Sequence, residues 1–396
     1  MPTIAMIGQK GLPARSGGIE RHVQHLATSL VERGHRVIVF GRAWYVAQSK
    51  APNGVEQIIT KGIKTKHLDA ITHSFTAILA ARKLRPDIVH IHGAGIAVLV
   101  PLVRLLVPKA KVVVTFHCID RVLTKWGRFA RAVFSIGEWS SCHLAHRTVT
   151  VSQDLAQYCA KTYGVQPWYI PHGIPQAEFP AKAQEYLEKH ELTEDQYFLF
   201  VGRLIPDKEA HLLIEAYALA AQKSQAVKKI PLVLVGASSF SDSYAKSLIH
   251  RAAAISGVHY LGERYGEEMA VLQSRAMAHV FPSSSEGLSL AIVEACQYGK
   301  TVIATDIPAN REATGGWMIP VGLKDIEGMS EALVRIAERH PAERRELGQR
   351  AQVHVARVHD CDERANDMVR VYADVLGQSR DLVTPIQLSS NPLASL

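Results

Sequence analysis

One pattern, written twice along the chain, limits what this sequence can fold into. β-branched runs alternate with helical stretches, first at Thr3–Ile7, Arg36–Phe40, Asp87–Ile91, Lys111–Phe116, Thr148–Val151 and Trp168–Ile170. The second series is Tyr197–Val201, Pro231–Val235, Val258–Leu261, His279–Phe281, Thr301–Ala304 and Trp317–Ile319. Intervening segments such as Ile19–Arg33 and Ile71–Lys83 repeat apolar residues at helical spacing. Strands joined through helices lie parallel, with helices covering both sheet faces. The expectation is an α/β protein of two Rossmann-like, doubly wound parallel-sheet domains facing across a cleft, with a ligand at the carboxyl ends of the strands. The first domain is placed at residues 1–175 and the second at 190–358, the polar, Pro-bearing stretch Pro171–Asp195 reading as the linker. A C-terminal helix at 359–378 is expected to pack back on the first domain, followed by a tail at 379–396.

The second series contains the richest candidate site, Pro282–Ser283–Ser284–Ser285–Glu286–Gly287–Leu288–Ser289, leading into an amphipathic segment that carries Glu294. The serine run and Gly287 form a turn and cap, leaving the free N–H groups of a helix start between two carboxylates. Such amides attract phosphate, while carboxylates accept hydrogen bonds from hydroxyls, so the pattern suits a phosphate flanked by hydroxyl groups. A capped helix with two solvated glutamates fits this stretch equally well. Upstream, Gly202–Arg203–Leu204–Ile205–Pro206–Asp207–Lys208 follows a strand, and Arg203 with Lys208 can clamp a diphosphate in place of a metal ion. In the first series, the loop Gly8 to Glu20 with Gly17 and Gly18 lets a backbone approach a ligand closely, though plain turn glycines remain an alternative. It is not GxGxxG, and no GxxxxGK[ST] occurs, which weakens dinucleotide and P-loop readings. His117 follows Lys111–Phe116 at a strand end, with His92 held in reserve at the preceding one and Cys118 lacking any supporting motif.

Composition narrows the classes. At 47% hydrophobic and 21% charged over 396 residues, two full cores are affordable in size. The five cysteines form no CxxC pair, which fits a reducing compartment and no zinc site. The one D-x-D, Asp360–Cys361–Asp362, reads as a helix cap rather than a metal motif. The start enters a strand without a leader pattern, and the longest apolar run, Gly93–Val103, contains Pro101 and falls short of the roughly 20 residues a membrane span needs. Charge is uneven: residues 1–172 hold 22 Lys and Arg against 8 Asp and Glu, and the remainder 23 against 29. A basic first half attracts anionic membranes or phosphorylated substrates; without an RNA-binding or helix-turn-helix signature, no nucleic-acid partner is expected. Arg121, Lys125, Trp126, Arg128, Phe129, Arg131 and Phe134 interleave cations with aromatics, fitting either a helix on an anionic membrane or an ordinary half-buried helix. The expected location is cytoplasmic, with peripheral contact at the inner membrane face.

Together Glu286-x7-Glu294, Gly202–Arg203 with Lys208, Val151–Ser152–Gln153–Asp154–Leu155 and Tyr169–Ile170–Pro171–His172–Gly173–Ile174 resemble the family 4 retaining glycosyltransferases of GT-B fold across about residues 1–375. The Gly8–Glu20 loop and Lys125–Trp126–Gly127 look more narrowly like bacterial surface-polysaccharide enzymes, several of them rhamnosyltransferases. The resemblance implies a metal-independent transferase with a nucleotide diphosphate sugar as donor, no cofactor, and a glycan or lipid-diphosphate-linked acceptor. It implies catalytic roles for His117, Arg203, Lys208 and Glu286, with Arg203 and Lys208 on the diphosphate, Glu286 on the sugar and Glu294 on the ribose. Gly17, Gly18, Gly202 and the amides of Gly287, Leu288 and Ser289 complete the implied donor site, and His117 contacts the sugar. Family members commonly carry Asn at the position of His172 and a small or acidic residue at that of Cys118. A sugar-nucleotide epimerase or hydrolase on the same fold, or a non-catalytic nucleotide-sugar binder, is the alternative.

Overall fold

The computed structural model describes residues 1–15, 17–46, 50–65, 68–123, 126–237 and 242–378. The chain divides into two compact units: residues 1–174 together with 361 onward, and residues 175–360.

The first unit is built on β1 (Thr3–Ile7), β2 (Arg36–Arg42), β3 (Glu56–Thr60), β4 (Ile88–His92), β5 (Lys111–Phe116), β6 (Arg147–Thr150) and β7 (Trp168–Tyr169). They form one sheet in the order β3-β2-β1-β4-β5-β6-β7, every pair parallel. Side chains alternate across it as strand geometry requires. Ile4 and Met6 join Val23, Leu26 and Leu30 of the helix Gly18–Glu32 and Met368, Val371 and Tyr372 of the helix Cys361–Val375. Ala5 and Ile7 join Ala77, Ile78 and Ala81 of the helix Asp69–Leu84 on the opposite face. Six strands are legible here in the sequence. The seventh, β3, escapes the patterning because it is an edge strand whose Glu-Gln-Ile-Ile-Thr residues are only partly covered, so no apolar run marks it.

The last helix is tied to the first by Arg33, which pairs with Asp362 at 2.9 Å and donates from Nε to Asn366 Oδ1 at 2.8 Å. These partly exposed contacts are weak beside its buried face. Met368, Val371 and Tyr372 are at most 1% exposed, and full burial of each such side chain is worth about 1.5–3 kcal/mol.

The second unit contains β8 (Phe198–Val201), β9 (Leu232–Val235), β10 (Val258–Gly262), β11 (Ala278–Phe281), β12 (Thr301–Thr305) and β13 (Ile319–Val321), again all parallel, in the order β10-β9-β8-β11-β12-β13. Phe198 and Phe200 face Leu213, Ile214 and Tyr217 of the helix Ala210–Lys223 and Leu333 and Ile336 of the helix Ile326–Glu338. Leu199 faces Ala183 and Leu187 on the other side. Those two belong to the short helix Ala183–Lys189, inside the stretch whose composition reads as linker, so that stretch carries part of a core.

In each sheet the strand order reverses once, between β1 and β4 and between β8 and β11. Loops leaving neighbouring strands at such a point diverge to opposite faces and open a crevice at the strand carboxyl ends. The residues after β1, β4, β8 and β11 are therefore the ones positioned for chemistry.

His279 in β11 is fully buried, with Nε2 2.9 Å from the Gln273 carbonyl, and burial pushes its pKa down to about 4 from the usual 6.5. Above pH 6.5 the group is neutral folded or unfolded and makes no difference. As pH falls below that value, the unfolded chain takes up the proton first and folding weakens, by about 2 kcal/mol at pH 5. Denaturant unfolding of the wild type and His279→Asn at pH 7.5 and pH 5 should show the variant losing less stability across that interval. Parallel losses in both proteins would overturn this reading.

Candidate functional site

In the second unit the site begins where β8 ends. Gly202 N–H donates to the Val235 carbonyl at 3.1 Å, and a Cβ on Gly236 would lie 1.8 Å from the Gly202 carbonyl oxygen. Only glycine at 236, with φ of +143°, allows these strand ends to come so close. Arg203 then turns outward and is exposed, while Leu204 and Ile205 are buried and anchor the loop. A single 3-10 turn, Pro206–Lys208, follows before the helix Ala210–Lys223.

The loop after β11 is fastened to this turn at the Asp207 carbonyl. The Asp207 carbonyl accepts both the Ser284 N–H at 3.0 Å and the Ser284 Oγ–H at 3.2 Å. That contact sets the register of the two loops, and the Lys208 ammonium consequently meets Glu286 Oε1 in a direct ion pair. The side chains are only 17% and 12% exposed, so the pair is screened far less than a surface one.

Beyond Glu286 the chain enters the helix Leu290–Gln297 through Ser289, whose carbonyl accepts the N–H groups of Ile292 and Val293, both at 3.1 Å. The Ser289 side chain makes no cap. Among the described residues, the amides of Gly287, Leu288 and Ser289 have no acceptor, although all three residues are buried. Amides left without acceptors at a helix start suit an anion. Glu294, further along the helix, is half-buried and accepts from Gln273 Nε2 at 3.2 Å, which holds its carboxylate in one orientation.

In the first unit, Gly17 has φ of +102°, and a Cβ there would fall 2.0 Å from Glu20 Oε2. The other oxygen of Glu20 accepts the Lys10 N–H at 3.0 Å, closing the loop on itself. Gly18 opens the helix Gly18–Glu32. The start of the loop is braced by a buried ion pair, Arg42 to Asp69 at 2.7 Å, with Arg42 also donating to the Gly8 carbonyl at 3.0 Å. Removing either charge strands the other in the interior.

His117, after β5, lies within a cluster of histidines drawn from four segments. Its ring is 5.2 Å from that of His22 on the first helix, 5.6 Å from His92 at the end of β4 and 5.3 Å from His172 after β7. His117 Nε2 and His92 Nδ1 are 3.3 Å apart. Burial pushes His22 down to about 3 and holds His92 and His117 well below the usual 6.5, with neighbouring histidines adding to the effect. At neutral pH these are uncharged imidazoles able to give or take a hydrogen bond.

The structure thus brings Lys208 and Glu286 into contact beside the amides of Gly287, Leu288 and Ser289, with Arg203 on the same loop as Lys208. Gly17, Gly18 and His117 lie in the other unit. His22 and Gln273 were not read from the sequence. His22 precedes Leu26 by four residues on an amphipathic helix, so its inward direction was available from spacing; Gln273 carried no signal. In the basic aromatic segment Lys125 lies outside the described residues. Arg121 is drawn inward to Glu138 at 3.1 Å, and Trp126 packs against Phe134 with ring centres 5.0 Å apart. Arg128, Phe129 and Arg131 are exposed on the helix Arg128–His143, Phe129 at 85%.

Comparison with known proteins places these features. Residues 16–178 match the family model described as Glycosyltransferase Family 4, and residues 182–354 match Glycosyl transferases group 1. O-antigen chain mannosyltransferase B of Escherichia coli is 27% identical over 167 residues, 42% of this chain and 42% of that relative. D-rhamnosyltransferase WbpZ of Pseudomonas aeruginosa is 28% identical over 212 residues, 51% of each chain. These matches span about half or less of the two relatives. HepE of Anabaena, in complex with UDP-glucose, shares the fold at a TM-score of 0.76 and 16% identity, covering 94% of this chain and 100% of that one. With two glycosyltransferase models matched in succession over two parallel α/β units, the chain belongs to the family 4-like glycosyltransferases of GT-B fold.

Proposed function

We propose that this glycosyltransferase moves a sugar from a nucleotide diphosphate donor to a glycan or lipid-diphosphate-linked acceptor, with retained anomeric configuration and without a metal ion, in bacterial surface-polysaccharide assembly. The observation that carries the proposal is the Lys208–Glu286 pair beside three acceptor-free amides. An ammonium and a helix start match a diphosphate, and an adjacent carboxylate matches sugar hydroxyls. Arg203, exposed on the same loop, supplies a second cation. Two cations and oriented amides provide the charge stabilisation that a divalent ion otherwise gives a leaving diphosphate.

In the proposed reaction the acceptor hydroxyl oxygen bonds to the anomeric carbon on the face from which the diphosphate departs. The bond from that carbon to the phosphate oxygen breaks, and its electron pair stays with the diphosphate. The proton of the hydroxyl passes to the departing phosphate oxygen, giving a nucleoside diphosphate and the new glycoside. Lys208, Arg203 and the amides hold the developing charge. Glu286 binds the transferred sugar rather than attacking it, Glu294 takes the ribose hydroxyls, and His117 meets the sugar as a neutral imidazole. Gly17 and Gly18 allow their loop to approach the diphosphate. The names of the O-antigen mannosyltransferase and D-rhamnosyltransferase relatives support the polysaccharide setting.

The acceptor side rests on a different feature. Phe129 and Ile136, 85% and 56% exposed and two helical turns apart, share the helix Arg128–His143 with Arg128 and Arg131, a composition suited to an anionic lipid surface.

Four outcomes are expected. Lys208→Ala and Glu286→Ala should each lower kcat/KM about 100-fold or more while the purified proteins keep wild-type circular dichroism; near-normal turnover in both would remove the assignment. In a thermal-shift panel of UDP-, GDP-, ADP- and dTDP-sugars, one donor should stabilise the wild type by about 2.7 kcal/mol at 100-fold excess over Kd, and Lys208→Ala should reduce that shift. The donor should also remain intact by NMR without acceptor, whereas turnover of donor alone would favour an epimerase or hydrolase. Flotation with vesicles containing anionic lipid should capture the wild type and release Phe129→Asp, and equal behaviour of the two would exclude this face as the lipid contact.

A further inference from the structure

The buried histidines of the first unit differ in one respect that their shared burial conceals. His90 is saturated: Nδ1 is 2.7 Å from the Tyr372 hydroxyl and Nε2 is 2.7 Å from the Thr115 hydroxyl. It is held between β5 and the last helix with no lone pair left to offer. His22, His92 and His117 are also nine-tenths or more buried, at 5%, 1% and 6% exposed, yet His22 Nε2, His92 Nε2 and His117 Nδ1 each lack a hydrogen-bond partner. Buried polar nitrogens are normally satisfied, so three orphans in one place mark a cluster that the chain does not satisfy by itself.

The three side chains are also close enough to share one. One ring nitrogen of each lies within 4.8 Å of the other two. His92 Nδ1 and His117 Nε2 share a hydrogen bond of 3.3 Å, which is also about the separation of two nitrogens on a single tetrahedral zinc, given Zn–N bonds of about 2.0–2.1 Å. An ion held by this pair therefore replaces their bond and leaves the opposite nitrogens, His92 Nε2 and His117 Nδ1, as they are. Three imidazoles with no carboxylate or thiolate among them form a donor set suited to zinc, copper or nickel and unsuited to magnesium or calcium.

We propose that His22, His92 and His117 form a binding site for a late first-row transition metal ion, with zinc as its probe. The ion takes one nitrogen from each of three segments, the first helix, the end of β4 and the loop after β5, and keeps a fourth position open. It stands outside the transfer chemistry proposed above. A nitrogen of His117 that holds a metal is withdrawn from a sugar, so zinc should inhibit transfer; that consequence rests on the role given to His117, whereas the site itself does not. Spacing along the chain gives no sign of it, because the ligands are 70 and 25 residues apart and only the parallel topology gathers them.

The test uses the full chain, stripped with a chelator, reloaded with zinc and passed through gel filtration before metal analysis. One retained equivalent is expected, with at least tenfold weaker zinc affinity in His22→Gln and in His92→Gln. Cobalt in place of zinc should give the intense visible absorption of a four-coordinate site. Failure to retain zinc overturns the proposal, as does equal affinity in wild type and variants, which would place the ion on other histidines of the 19 in the chain. Should either variant fail to fold, the cobalt spectrum of the wild type decides, and a weak six-coordinate spectrum counts against the site. A protein that binds one zinc in this way but shows no inhibition keeps the site and loses only the assigned role of His117.

Discussion

The Asp207 carbonyl oxygen is the contact on which the geometry of the second unit's site depends. The Asp207 carbonyl receives two donors from Ser284, and through it the turn after β8 and the loop after β11 become one rigid body. Neither loop is long enough to need its own core. Their alignment nonetheless decides whether Lys208 and Glu286 meet and whether the amides of Gly287 to Ser289 point beside that pair. The two strands supply the coarse position, since a parallel sheet fixes where its strands end. The carbonyl supplies the last few ångströms, the range in which positioning of charged groups is felt.

Much of the architecture was legible because both sheets are buried on two faces, and buried parallel strands announce themselves as apolar runs. Where that condition lapses, legibility lapses with it. Glu56–Thr60 is a half-covered edge, and Ala183–Lys189 buries only Ala183 and Leu187 of its seven residues, so neither leaves a run to find. The loops of the candidate site were readable for a different reason. Glycines, serines and charged residues at strand ends have few structural uses in combination, so Gly202–Arg203, Lys208 and the Glu286–Glu294 stretch stand out. Partnerships were not readable. That Glu286 is held by Lys208, or that Glu294 is held by Gln273, depends on tertiary geometry, and a glutamine on a helix announces nothing.

The histidines show the same limit in sharper form. His117 and His92 could be placed at strand ends, but each was one of many. Only the fold reveals that His22 arrives from a helix and His172 from the segment after β7, so that four rings share one desolvated place. Desolvation then changes what they are. An imidazole in water divides its time between charged and neutral forms near neutral pH, while His22, His92 and His117 are held neutral by burial and by neighbouring histidines. Their chemistry is therefore that of lone pairs and N–H donors.

The return of the last helix to the first unit has a consequence for how the protein is made. The chain leaves that unit after Ile174 and re-enters it at Cys361, so the second unit is, in sequence, an insertion into the first. Tyr372 closes over His90, and Met368 and Val371 complete the layer above Ile4 and Met6. A ribosome delivers all of residues 175–360 before it delivers that helix. The second unit can therefore finish folding while the first, although begun earlier, still exposes an apolar face of its sheet, and vectorial synthesis reverses the usual order of domain completion.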